Sequence, residues 1–272
     1  MLWHEQQGSG PDLVLVHGWG LHGGIWGDLP ARLAKYFRVT TLDLPGHGRS
    51  DIADVPLSLA GFTESVAALC PAPAIWLGWS LGGLIAMHAA LQHPRKVSQL
   101  VLVGATPKFV QAPDWPPAMS VVVFDDFARG LTQDYRTTLL RFLSLQTGSN
   151  ESSRALLKQL RADMFAHGEP QPEALAAGLA MLEQTDLRAR LAEIQAPALV
   201  VHGSHDRLAP PAAGEYLSRQ LPNARLLRLE GAGHAPFLSH TAAFTDAVCA
   251  VAAAAGVLPA ATLAHRDATE VL

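Results

Sequence analysis

Short apolar runs of strand length alternate along this chain with longer segments in which apolar residues recur at helical spacing. The strand candidates are Leu13–His17, Val39–Asp43, Ala74–Leu77, Leu100–Val103, Ala198–His202 and Ala224–Leu229. Strands interleaved with helices are the signature of a parallel sheet covered by helices, so the expected fold class is α/β, with a mostly parallel central sheet flanked by helices. Most of these runs end in small or chemically useful residues, and ligands of open α/β sheets gather at the carboxyl ends of the strands. Chemistry is expected at that edge.

From about Pro107 to Leu191 the alternation stops. A proline-rich entry, QAPDWPP, leads into helical patterns without a convincing strand. Residues 107–191 therefore read as an inserted helical cap, which divides the core into residues 1–106 and 192–255. The alanine-rich run Val248–Leu258 reads as a terminal surface helix. Residues 256–272 lack an apolar period and read as a mobile tail.

Composition narrows the class. At 272 residues, 49% hydrophobic and 16% charged, the chain can bury a sizeable core and is not disordered. One core plus a cap is expected, acting as a monomer. A net charge of -4 leaves no global basic footprint for nucleic acid. Cys70 and Cys249 are too few for a disulfide framework and point to a reducing compartment. The first twenty residues carry no basic region and no long apolar stretch, so neither a signal peptide nor a membrane span is expected. The cytoplasm is the expected location.

The strongest local signal is AIWLGWSLGGLIAMHAAL, in which an apolar strand runs through Gly78-Trp79-Ser80-Leu81-Gly82 into a helix. A tight strand-to-helix turn at GxSxG holds the serine in an unfavourable backbone conformation above the sheet. A serine hydroxyl is a poor nucleophile at neutral pH and needs a histidine base, which in turn needs a carboxylate to fix its tautomer. The expected chain order is serine, acid, histidine. His234, in the glycine-flanked loop LEGAGHAPFLSH after the final strand candidate, suits the base; Asp206, in ALVVHGSHDRLAP at another strand end, suits the acid. Asp206 also reads as an ordinary turn aspartate, and Asp186, in a helical-looking segment at the cap exit, is the competing acid. Leu81, directly after the nucleophile, supplies one oxyanion N–H, and Trp19 of HGWG, after an early strand, supplies the second. The Trp19 indole reads either as packing or as a wall of the substrate pocket.

Two other patterns compete. His202 and His205 form HxxH without a glutamate at metalloprotease spacing, so no metal is expected. Gly18, Gly20 and Gly23 match GxGxxG after a strand, with Asp43 near the distance of a ribose-binding acid. A dinucleotide site is thus a rival reading, although an oxyanion loop explains the same glycines and the expected chemistry needs no cofactor. DLPGHGRS, residues 43–50, reads as a turn that shapes the fold.

Together HGWG, DLPGHGRS, GWSLGG, HGSHD and GAGHAPFLSH resemble the α/β-hydrolase superfamily. IWLGWSLGGL, the cap entry DWP, RFLSLQ at Arg141–Gln146 and GHAPFLSH resemble the BioH family, the carboxylesterases that remove the methyl ester of pimeloyl-acyl-carrier protein in biotin synthesis. The resemblance runs to about Ala255. It implies Ser80 as nucleophile, His234 as base and Asp206 as orienting acid, and a substrate site lined by Trp19, Leu81, Phe142, Leu143, Ser144, Leu145 and Gln146. It also implies an acyl carrier protein as partner, alongside small-molecule esters.

Acyl carrier proteins are strongly acidic, so a docking face should be basic. Arg154, Lys158 and Arg161 fall on one helical face, with Arg136 and Arg141 nearby in sequence; an ordinary solvated face explains the same pattern. One triad on one fold serves many substrates, so a general carboxylesterase, a lactone or carbon-carbon hydrolase, and a hydrolase-fold ligand-binding protein stay open.

Overall fold

The computed structural model describes residues 2–70, 73–146, 158, 161 and 164–258, with Thr132 and residues 142–146 described by backbone alone. Seven strands form one sheet: β1 (His4–Gln7), β2 (Asp12–Val16), β3 (Arg38–Leu42), β4 (Ala74–Trp79), β5 (Val97–Val103), β6 (Ala198–Gly203) and β7 (Ala224–Leu229), in the order β1-β3-β2-β4-β5-β6-β7. Every neighbouring pair is parallel except β1 with β3. The sheet is therefore mostly parallel, and its central strands β2, β4, β5 and β6 are buried almost throughout.

The helices of the core are α1 (Leu29–Leu33), α2 (Leu59–Leu69) and α3 (Leu81–Gln92), followed after the inserted segment by α7 (Pro211–Gln220), α8 (Pro236–Ser239) and α9 (Thr241–Ala254). α3 buries nearly all its positions, as a helix packed on the centre of the sheet must. Within the inserted segment the described helices are α4 (Val121–Gln133), α5 (Tyr135–Gln146) and α6 (Pro172–Gln184). The two ends of this segment meet: Leu187 N–H donates to Pro107 O (2.9 Å), and Lys108 pairs with Asp186 (3.3 Å).

Three expectations need correcting. The strand HEQQ was absent from the expected set because it has no apolar alternation; it forms at the sheet edge, largely exposed, through antiparallel pairing with β3. The terminal helix does more than cover the surface: α9 buries Phe244, Val248, Cys249 and Ala252 on one face, while Ala242, Ala243, Ala250 and Ala254 stay exposed on the other. The buried positions recur every three or four residues, and alanine occurs on both faces. Asp186 does not lie in a helix, since α6 ends at Gln184 and the next helical turn, of the tighter 3-10 kind, starts at Arg188.

Candidate active site

The loops that follow β2, β4, β6 and β7 converge at the carboxyl edge of the sheet, where α/β sheets present their ligand sites. Ser80 directly follows β4 and caps α3. Its backbone, φ 56° and ψ −116°, lies in a region that L-residues rarely occupy. Two bonds hold it there: Ser80 N–H donates to Val103 O on β5 (2.9 Å), and Gly83 N–H donates to Ser80 O (2.9 Å). Gly78 and Gly82 lack side chains because their backbones nearly touch; a β-carbon on either would strike main-chain atoms of Gly82 or Val16. Ser80 is 3% exposed.

His234 and Asp206 lie close together, both essentially buried. The His234 Nδ1 to Asp206 Oδ2 distance is 2.7 Å. A carboxylate only accepts, so Nδ1 carries the proton and Nε2 keeps its lone pair. That Nε2 is buried and has no hydrogen-bond partner among the described residues. The other oxygen of Asp206, Oδ1, accepts the N–H groups of Leu208 and Ala209 (2.9 Å each), which fixes the carboxylate as an acceptor aimed at His234. The turn role of Asp206 and its pairing with histidine thus coexist.

Two contacts join this pair to the serine. Trp79, the residue before Ser80, donates its indole N–H to His234 O (2.8 Å), with ring centroids 5.6 Å apart. Gly104 follows Val103, the residue that holds the Ser80 amide, and abuts the imidazole. At φ +50° it carries no side chain, and a β-carbon there would lie 2.9 Å from His234 Nδ1. Neither contact was among the sequence candidates. A glycine closing an apolar strand was the available signal for Gly104.

The loop after β2 passes over the serine, since a β-carbon on Gly18 would lie 3.3 Å from Ser80 Cβ. Trp19 is 1% exposed and donates its indole N–H to Leu175 O on α6 (2.9 Å), so its side chain both packs and bonds across to the inserted segment. Leu81 opens α3, where the first N–H groups have no carbonyl within the helix to bond.

Three buried side chains brace this loop. His17 Nε2 accepts Leu44 N–H (2.9 Å) and its Nδ1 lies 2.8 Å from Gly18 O, which requires the proton on Nδ1. His47 repeats the arrangement, with Nδ1 2.9 Å from Pro45 O and Nε2 facing Gly20 N–H at 3.4 Å. Burial pushes His17 down to about 3 and His47 down to about 4, keeping both neutral acceptors. Asp43 accepts Gly23 N–H (2.7 Å), Arg49 N–H (2.9 Å) and the Arg49 guanidinium (2.7 Å). Burial alone would raise the Asp43 carboxyl, but the hydrogen bonds from Arg49 outweigh it and hold the group below the usual range.

These bonds correct the dinucleotide reading. The Asp43 carboxylate is fully engaged inside the protein, and the glycine-rich loop enters a short 3-10 turn, Gly23–Trp26, rather than the long helix whose N-terminus would face a pyrophosphate. The rival acid is likewise committed elsewhere. Asp186 is bound by Arg188 (2.7 Å) and paired with Lys108, and the Arg188 hydrogen bonds bring its carboxyl down to about 2. His202 donates Nε2–H to Ala209 O (2.8 Å), whereas His205 is exposed. Among the described residues no group of three or more His, Cys, Asp or Glu could hold a metal ion.

The basic candidates divide. Arg136 is engaged within the inserted segment, paired with Glu169 and set over the Phe165 ring (5.0 Å). Arg141, Lys158 and Arg161 are exposed. Arg154 lies outside the described residues, and so do the side chains of Phe142, Leu143, Ser144, Leu145 and Gln146, whose backbone ends α5.

The chain belongs to the α/β-hydrolase fold family, whose sequence model matches residues 11–241. Among curated relatives, a protein named pimeloyl-(acyl-carrier protein) methyl ester esterase from Xanthomonas oryzae pv. oryzae is 46% identical over 241 residues, covering 89% of this chain and 94% of its own. A protein of the same name from Stenotrophomonas maltophilia is 45% identical over 233 residues, covering 86% and 89%. Among solved structures, an esterase from Exiguobacterium antarcticum superposes with a TM-score of 0.83 at 25% identity, covering 92% of this chain and 94% of that one. No helix among the described residues is long and apolar enough to cross a membrane.

Proposed function

We propose that this protein is a serine carboxylesterase that hydrolyses the methyl ester of pimeloyl-acyl-carrier protein, releasing methanol and the free ω-carboxylate in biotin synthesis. The observation that carries the chemistry is the 2.7 Å bond from His234 Nδ1–H to Asp206, which leaves Nε2 as a buried lone pair beside the Ser80 elbow. The relatives named above, at 45–46% identity over most of the chain, support the substrate.

Ser80 Oγ attacks the ester carbonyl carbon as His234 Nε2 takes its proton. Negative charge on the carbonyl oxygen is met by the main-chain N–H groups of Trp19 and Leu81. Collapse of the tetrahedral intermediate expels the methoxy group, which takes the proton from His234 and leaves as methanol. Water, deprotonated by His234, then attacks the acyl-serine; the carboxylic acid departs and Ser80 regains its proton. Asp206 stays ionised throughout and stabilises the imidazolium.

Trp19, Leu81 and Phe142 to Gln146 are assigned to the acyl pocket. Arg141, Arg154, Lys158 and Arg161 are assigned to the acidic carrier, with Arg136 beside them although its pairing with Glu169 cancels its charge. We place the reaction in the cytoplasm, in keeping with two buried free thiols, Cys70 and Cys249.

Turnover of pimeloyl-carrier protein methyl ester, measured beside a short p-nitrophenyl ester, tests the proposal. Ser80→Ala should abolish both activities and labelling by an active-serine phosphonate. Charge reversal at Arg141, Arg154 and Lys158 should raise KM for the carrier-bound ester alone. Equal effects on the two substrates would remove the docking role, no preference for the carrier ester would leave a general esterase, and absence of labelling would leave a ligand-binding protein.

A further inference from the structure

Gly178 stands at the middle of α6, in the sequence PEALAAGLAMLEQ, where glycine weakens a helix relative to the alanines and leucines around it. Its backbone conformation is ordinary helix, so the reason for glycine lies in what α6 packs against. A β-carbon at 178 would lie 2.6 Å from Cδ1 and 3.2 Å from Nε1 of Trp19, and 3.4 Å from Cδ2 of Leu81. One position of the inserted segment therefore touches the side chains of both residues assigned above to the oxyanion hole.

We propose that Gly178 is a positioning residue: by omitting a side chain it lets α6 seat directly on Trp19 and Leu81, so that the placement of the cap helix sets the geometry of the oxyanion hole. This rests on the assignment of Trp19 and Leu81 as main-chain donors. The contact does not stand alone. One turn earlier on α6, Leu175 O accepts the Trp19 indole N–H (2.9 Å), and both residues are buried. Gly20, the next residue of the loop, faces Leu139 of α5, where a β-carbon would clash at 2.5 Å from Leu139 Cδ2. At its start α6 is tied to the 43–50 turn, where Gln171 N–H donates to Gly46 O (2.8 Å). That turn is itself bonded to the loop after β2 through His17 and Asp43. A shift of α6 is thus transmitted to the Trp19 main chain by direct contact and through its bracing turn.

The cap then acts in the chemical step as well as in substrate choice. A donor displaced by a fraction of an ångström loses most of its preference for the developing oxyanion, which affects kcat more than ground-state binding.

The test is Gly178→Ala, assayed with a short p-nitrophenyl ester too small to need the carrier surface. The expected result is a fall in kcat of about tenfold or more with KM within about twofold, and a matching fall in the rate of phosphonate labelling. A glycine with only a packing role predicts unchanged kcat. Trp19→Phe, which keeps the main-chain donor but loses the Leu175 bond, should lower kcat in the same way. Combined with Gly178→Ala it should cost less than the product of the two separate effects, because the smaller ring relieves the contact. Wild-type kcat in Gly178→Ala, a loss confined to KM, or strictly multiplicative effects would overturn the proposal. Failure of the underlying reading is recognised separately, by turnover that survives Ser80→Ala.

Discussion

Asp206 accepts the Nδ1 proton of His234 at 2.7 Å, while the other candidate acid, Asp186, is held by Arg188 where the inserted segment meets the core. The two carboxylates are therefore separable by experiment. Asp206→Asn would present an amide N–H to Nδ1, favour the wrong tautomer and lower kcat by roughly 10³–10⁴-fold. Asp186→Asn should leave kcat within about twofold and reduce stability by no more than about 1 kcal/mol, since its pairs with Arg188 and Lys108 are partly exposed. Steady-state kinetics and urea unfolding of the two variants check this.

Gly104→Ala should injure catalysis without unfolding the chain. The new β-carbon would be 2.9 Å from His234 Nδ1, and φ +50° adds backbone strain of about 1–2 kcal/mol. The imidazole has to move away from Asp206. We expect kcat reduced by at least about tenfold with native far-UV circular dichroism; full activity would mean that the ring has other room.

Acid should destabilise the fold well above the carboxylate range. The folded protein holds His17 at about 3 and His47 at about 4, whereas both titrate at 6.5 when unfolded. The unfolded chain takes up these protons as pH falls below 6.5 and the folded chain does not, so the stabilisation is complete above that pH and is lost below it. Each histidine should account for about 2 kcal/mol between pH 7 and pH 5. Urea midpoints across that window measure the slope, which His47→Gln should reduce by one histidine's share. A flat profile would show that both rings protonate in place.

Asp43→Ala removes the acceptor for Gly23 N–H, Arg49 N–H and the Arg49 guanidinium. Breaking a buried pair of this kind should cost about 3 kcal/mol, at the low end because the Arg49 side chain remains 28% exposed. Loss of stability should be accompanied by slower phosphonate labelling, since the loop that carries Trp19 loses its anchor. Thermal unfolding followed in parallel with labelling rates separates the two effects.

Much of this architecture was legible in the sequence because its cues are local. Four of the strands, β2, β4, β5 and β6, hold continuous apolar runs of the kind a doubly covered sheet accommodates, and the GxSxG turn names its own serine from the flanking strand and helix. His234 and Asp206, read from loops at strand ends as base and acid, are brought within 2.7 Å of each other by the fold. β1 was not legible, since HEQQ becomes a strand only when β3 lies beside it. Burial of α9 was hidden by alanines, which suit surface and core alike.

Which residues touch across the chain was decided by tertiary structure. The sequence by itself determined six of the seven strands, the elbow at Ser80 and the kinds of group that surround it, because backbone propensity and apolar period act over a few residues. Only the folded chain committed Asp186 to Lys108, Asp43 to Gly23, and Gly178 to Trp19. Those choices depend on distances between segments up to 159 residues apart, as Trp19 and Gly178 are in the numbering. No local pattern encodes such distances; close packing of the inserted segment on the core sets them.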